Sequence, residues 1–139
     1  MRQTSQSKIL LLEDDRFYAL FLKQYLEQVG FAVIEAGSLL EFKTLLPAEQ
    51  PDALISDVGF AEGPEPTSRY LPLGGMIAMD WLAQQTGLRK PRVTVIVSAT
   101  MTPGLRRQFE ALQVTAIFEK PFEPGDLIRT LRLASLASV

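Results

Sequence analysis

The feature that most constrains this chain is an alternation: short apolar runs of strand length and longer segments of helical periodicity follow one another five times. The runs KILLLE (8–13), FAVIEA (31–36), DALIS (52–56), RVTVIVSA (92–99) and VTAIFE (114–119) are too short for buried helices and rich in branched aliphatic residues. Residues 16–30, 38–46, 75–87, 102–113 and 123–136 instead repeat apolar residues at three- and four-residue spacing. In the first of these, Phe17, Leu20, Phe21, Tyr25, Leu26 and Val29 read as one apolar helical face, with Asp15 as N-cap and Gly30 as the stop. Ser38 followed by Glu41 is a capping-box pattern for the second, and Pro47 is expected just beyond its end. In the third, Trp81 with Met76, Ile77 and Leu82 reads as partly buried packing.

Strands that are nearly continuous apolar runs must be covered on both faces, so the alternation predicts an α/β fold with a parallel sheet between two helical layers. Right-handed crossovers leave a flavodoxin-like (βα)5 three-layer sandwich, strand order 2-1-3-4-5, as the natural topology. The chain of 139 residues fits a single domain with a core of about residues 8–136. Residues 58–74, with Gly59, Gly63, Pro64, Pro66, Pro72 and Gly74, read as an extended irregular loop. That loop is either a gate beside the site described next or a tolerated surface insertion.

Composition narrows the chemistry. A net charge of −2 gives no general attraction for nucleic acid or an anionic membrane. No apolar run approaches the ~20 residues of a membrane span, and the polar lead MRQTSQSK lacks a secretory core, so a cytoplasmic location is expected. The same lead reads as a natural amino terminus, which favours a stand-alone protein over an excised domain. Cysteine and histidine are both absent, which removes thiol nucleophiles, zinc–thiolate sites and Ser-His-Asp catalysis. Any site must be built from carboxylates, hydroxyls, amines and backbone.

Those groups collect at one place. In open α/β sheets ligands sit outside the carboxyl ends of the strands at the topological switch point, here between the first and third strands. Glu13 and Asp14 end the first strand, Asp57 the third, Ser98 the fourth and Lys120 the fifth. Like charges about 4 Å apart repel by roughly 4 kcal/mol at an effective dielectric near 20. A hard cation relieves this, and Mg2+ is commonly held by one or two carboxylates with water and phosphate. Asp57 then reads as a nucleophile toward a phosphoryl group, with Lys120 and Ser98 contacting the phosphoryl oxygens. A structural ion pair between Lys120 and one acid is the plainer alternative, but it leaves the other acids unexplained.

The motifs ILLLEDD (9–15), PDALISD (51–57), VIVSA (95–99) and FEKPF (118–122), in this order and each at a strand end, resemble the CheY-like receiver domain of two-component response regulators. The resemblance implies that Glu13, Asp14, Asp57 and the carbonyl of Gly59 hold Mg2+, and that Asp57 accepts a phosphoryl group. The donor would be a phosphohistidine on a histidine kinase or a histidine phosphotransfer protein. Ser98 would be the switch hydroxyl and Lys120 the phosphate-contacting lysine, with a cis bond to Pro121. Such a domain is not an enzyme acting on other substrates. It signals to a downstream protein or output domain, with a weak homodimer through the fourth helix, fifth strand and fifth helix as a further expectation.

Three departures stand out. Phe60 and Ala61 replace the family's Met-Pro, the 58–74 loop is long, and Ile117 occupies the position of the switch aromatic. The competing class is a pseudo-receiver, an interaction module that keeps the fold without phosphotransfer. A flavodoxin-like cofactor binder is disfavoured because EDDR (13–16) would repel phosphate, and a phosphatase because Asp-x-Asp after the first strand is missing.

Overall fold

The computed structural model describes residues 6–134. Five strands form one parallel sheet: β1 (Lys8–Leu12), β2 (Ala32–Ala36), β3 (Ala53–Asp57), β6 (Val93–Ser98) and β7 (Ala116–Glu119). Two more, β4 (Phe60–Ala61) and β5 (Tyr70–Leu71), pair antiparallel in a separate ribbon. The helices are α1 (Arg16–Gln28), α2 (Leu39–Glu49), α3 (Gly74–Gln84), α4 (Pro103–Ala111) and α5 (Pro124–Leu133). The sheet order is β2-β1-β3-β6-β7, the order expected from the alternation once the ribbon is set aside. Residues 135 and 136, assigned to the last helix from sequence, lie outside the described residues.

β1 shows why the sheet needs two helical layers. Ile9 and Leu11 join the core cluster shared with α1 and α5, while Leu10 and Leu12 join the cluster beneath α2, α3 and α4. All four are at most 1% exposed. Each contributes roughly 1.5–3 kcal/mol of burial, so a polar residue at any of them would be costly. Among the described residues no helix is long and apolar enough to cross a membrane.

The helix starts follow the sequence closely. Asp15 Oδ1 accepts the N–H groups of Phe17 and Tyr18 at 3.1 Å, and Ser38 Oγ accepts that of Glu41 at 3.2 Å. Gly30 follows α1 at φ 104°, the left-handed geometry that suits glycine, and the Phe31 N–H closes on the Leu26 carbonyl at 3.1 Å.

Other expectations need correction. α1 does not bury Phe17, Leu20 and Phe21, which are 87%, 49% and 50% exposed. Its core face is Ala19, Leu22 and Leu26, with Tyr18, Tyr25 and Val29 packed at the margin. Both sets obey helical spacing, so periodicity alone does not choose between them. α2 runs through Pro47 to Glu49 rather than stopping before it. In the last turn the proline forfeits one hydrogen bond, and the Gln50 N–H still reaches the Leu46 carbonyl at 3.0 Å.

The segment 58–74 is structured. Phe60 pairs with Leu71 and Ala61 with Tyr70, the Glu62 N–H donates to the Arg69 carbonyl at 2.8 Å, and Arg69 and Glu62 pair at 2.9 Å. The Leu40 N–H donates to the Glu62 carbonyl at 3.0 Å, fixing the ribbon to α2. Strands of two residues are too short to leave a periodic signal in a sequence rich in glycine and proline.

α3 packs unusually close to the end of β3. A Cβ added at Gly75 would lie 2.5 Å from the Asp57 carbonyl oxygen and 3.1 Å from Val58 Cα, and the Gly75 N–H donates to the Val58 carbonyl at 2.7 Å. Gly75→Ala gains up to ~1 kcal/mol of helix propensity. Against it stands overpacking of about 1–3 kcal/mol, with backbone as the obstacle. We therefore expect the substitution to destabilise by about 1–2 kcal/mol, read as a lower urea midpoint at unchanged slope; an equal or higher midpoint would show that the α3 contact is not tight.

Candidate functional site

The carboxyl ends of the strands line an open cleft of about 340 Å³, walled by Glu13, Asp14, Asp57, Gly59, Ser98 and Lys120, with Tyr70 and Leu73 at one side. Parallel pairing aligns these ends. Leu12 lies beside Ser56, Asp57 beside Val97 and Ser98 beside Glu119, so the residue closing or following each strand emerges on one edge. All five side chains singled out by sequence line this cleft, as does Gly59.

The centre of the site is an ammonium group. Lys120 Nζ donates to Glu13 Oε1 at 2.8 Å and to Asp57 Oδ2 at 2.9 Å. It also lies 4.1 Å from the centroid of the Tyr18 ring, in cation–π geometry. The Lys120 N–H bonds the Ser98 carbonyl at 2.7 Å, and the Lys120–Pro121 peptide is cis, as the resemblance implied. Backbone N–H groups meet three more of the carboxylate oxygens. Glu13 Oε2 accepts from the Asp15 N–H at 3.2 Å, Asp57 Oδ1 from Val58 at 2.7 Å and Asp14 Oδ2 from Ala61 at 3.2 Å. Lys120 thus adds a counter-charge between Glu13 and Asp57 beside the cation expected from sequence. It bridges two of the three acids with its single positive charge, and the Ala61 N–H of the ribbon caps the third. Among the described residues no three acidic side chains close around one point as a ready-made metal shell.

Burial raises the Glu13 carboxyl from 4.5 to about 7; its bond to Lys120 opposes this and the Asp57 charge adds to it. Asp14 is also raised, first by burial and then by the Asp57 charge, against the Ala61 N–H. Burial alone would lower Lys120, but its bonds to Glu13 and Asp57 prevail and raise it. The ammonium stays charged while one acid is poised to take up a proton.

Ser98 lines the cleft, but its hydroxyl is bonded within its own loop. Its hydroxyl donates to the Thr100 carbonyl at 2.5 Å and accepts the Thr100 N–H at 3.2 Å, so it is engaged with its own loop and not with the acids. Ile117 packs at the margin of the α2–α3–α4 core cluster. The arginines of the last two helices sit on solvated surfaces, Arg106 near Glu119 at 3.6 Å and Arg129 near Asp126 at 3.0 Å. The sequence reading passed over Tyr18 and Tyr70. Tyr18 carries a usable signal, standing one turn beyond the acid cluster on α1. Tyr70 has none, because only the ribbon brings it to the site.

A carboxyl whose folded pKa lies above its unfolded value holds its proton more tightly in the fold. The Glu13 contribution is thus complete below about pH 4.5 and is lost as pH rises through about 7. In metal-free buffer we expect this group to lower stability between pH 5 and 8 by on the order of 1–3 kcal/mol, and Glu13→Gln to flatten that part of the profile. Thermal melts across the range check it, and an equally steep profile in Glu13→Gln would contradict the burial argument.

No protein-family model matches the chain, and no curated protein matches it by sequence. Solved structures do. The N-terminal domain of an uncharacterized protein from Wolinella succinogenes superposes with a TM-score of 0.73 at 28% identity, covering 93% of this chain and 94% of that one. The Vibrio cholerae chemotaxis protein CheY4 gives 0.74 at 19% identity, covering 94% and 99%. The BeF3-activated N-terminal receiver domain of Klebsiella pneumoniae RstA gives 0.72 at 19% identity, covering 92% and 97%. The chain has the CheY-like fold of response-regulator receiver domains.

Proposed function

We propose that this chain is a phosphoacceptor receiver in which Asp57 takes a phosphoryl group from a phosphohistidine on a partner kinase or phosphotransfer protein. The observation that supports this most is the Lys120 ammonium shared between Glu13 and Asp57 at 2.8 and 2.9 Å, at the switch-point edge of a receiver-type sheet. An Asp57 oxygen attacks phosphorus as the nitrogen–phosphorus bond breaks, and the electron pair remains on the donor imidazole. Lys120, already against Asp57, is placed to contact a phosphoryl oxygen there. Ser98 reaches the same group by exchanging its bonds to Thr100 for one to phosphate.

The donor set fits Mg2+, since it is all oxygen and carries three carboxylates against one ammonium. Asp14, Asp57, the Gly59 carbonyl and Glu13, directly or through water, are the residues that would hold the ion. When bound, it supplies positive charge that offsets the phosphoryl oxygens. The chain's own chemistry is then limited to gaining and losing the phosphoryl group, and its output is a changed protein contact, including the weak homodimer through α4, β7 and α5.

The pseudo-receiver reading draws on Ile117, which has no ring to reorient, and on a Ser98 held by its own loop. Incubation with Mg2+ and a small phosphodonor, followed by intact mass, separates the two. We expect one phosphoryl adduct on the wild-type chain, none with Asp57→Asn and none after chelation. Wild-type protein that takes no label would establish the pseudo-receiver, and labelling that survives Asp57→Asn would place the acceptor elsewhere.

A further inference from the structure

The ribbon brings one side chain to the acid cleft that the phosphoacceptor reading leaves unused. Tyr70 opens β5 opposite Ala61, whose N–H caps Asp14 at 3.2 Å. Its ring lines the cleft with Asp57, Gly59 and Lys120. A Cβ added at Gly59 would overlap the Tyr70 hydroxyl and lie 3.0 Å from Cζ. The phenol end thus fills the space that a side chain two residues beyond Asp57 would occupy. Tyr70 is 58% exposed, so the ribbon holds it there as a flap and not as part of the core. Among the described residues its hydroxyl has no hydrogen-bond partner. Burial and the charges of Asp14 and Asp57 raise its pKa, so it enters the cleft as a neutral group.

Position and chemistry together suggest a task. A phosphoryl group on Asp57 is lost when a water oxygen bonds to phosphorus as the bond from phosphorus to the Asp57 oxygen breaks. The electron pair returns to the carboxylate, and a water proton leaves with inorganic phosphate. Attack of this kind is in line, from the side opposite Asp57. The backbone side of Asp57 is closed by α3, where Gly75 packs against the Asp57 carbonyl. Water therefore arrives through the mouth where Tyr70 stands.

We propose that Tyr70 is a shield for phosphorylated Asp57: its ring, laid over the side-chain-free Gly59, obstructs the attacking water and lengthens the life of the phosphoryl group. The proposal rests on the phosphoacceptor reading. It gives the segment 58–74 a role in the duration of the signal, set by this chain and not by a partner.

The experiment labels wild-type protein, Tyr70→Phe and Tyr70→Ala with a small phosphodonor and Mg2+, removes the donor, and follows loss of the adduct by intact mass. Tyr70 is more than half exposed, so both variants should fold, and melting curves verify this. We expect Tyr70→Ala to lose phosphate about tenfold faster than wild type and Tyr70→Phe to stay within about twofold of it, because the ring and not the hydroxyl does the shielding. Decay of Tyr70→Ala at the wild-type rate, or of Tyr70→Phe as fast as Tyr70→Ala, overturns the shield while leaving the phosphoacceptor intact. Wild-type protein that takes no label overturns both.

Discussion

The site depends on one long side chain reaching across a sheet. Glu13 and Asp57 end neighbouring strands, β1 and β3, whereas Lys120 follows β7, with β6 between β7 and β3. Strands are about 4.8 Å apart, so Lys120 must cross the end of β6 to touch Asp57. The residue that ends β6 is Ser98, small and folded back onto Thr100, which leaves the path open. Without the ammonium, a carboxyl that is 1% exposed would face another carboxyl with no counter-charge. Removing one partner of a buried ion pair commonly costs 3–5 kcal/mol, mostly for the charge left behind.

That arrangement changes the meaning of the acid cluster. Read from the sequence, three adjacent acids demand a metal. In the folded chain the lysine and three backbone N–H groups carry part of that load. The carboxylates still outnumber the ammonium by three to one, and burial, with the Asp57 charge adding to it, raises the pKa of both Glu13 and Asp14. A cation and a phosphoryl group arriving together would carry the rest of that load while drawing Lys120 toward new oxygens. The Ser98 hydroxyl is committed to its own loop, and Ile117 packs at the margin of the core.

The sheet order and the site were legible because both follow from strand ends. A fully buried parallel strand reads as an unbroken apolar run, and the polar residues at the strand ends, Glu13, Asp57, Ser98 and Lys120, gather on one edge. What failed to show were choices made by tertiary packing. α1 offers two apolar stripes, and packing on the sheet buries the one containing Ala19, Leu22 and Leu26, leaving Phe17, Leu20 and Phe21 exposed. The β4–β5 ribbon escaped because its pairing is two residues long and is held by contacts to α2 and Asp14 more than by local preference. Tyr70 was hidden for the same reason.

The most direct test of the account is a backbone amide NMR titration of the whole chain, first with Mg2+ and then with beryllofluoride as a phosphoryl stand-in. The account predicts saturable shifts with Mg2+ at residues 13–15 and 57–61, where Asp14 and its Ala61 partner respond to the ion, and loss of those shifts in Asp14→Asn. Beryllofluoride should bind only when Mg2+ is present and should then move Ser98, Thr100 and Lys120. Beryllofluoride binding without the ion, or no saturable change at the cleft under either addition, would contradict the claim that this lysine-bridged acid cluster is a metal-dependent phosphoacceptor.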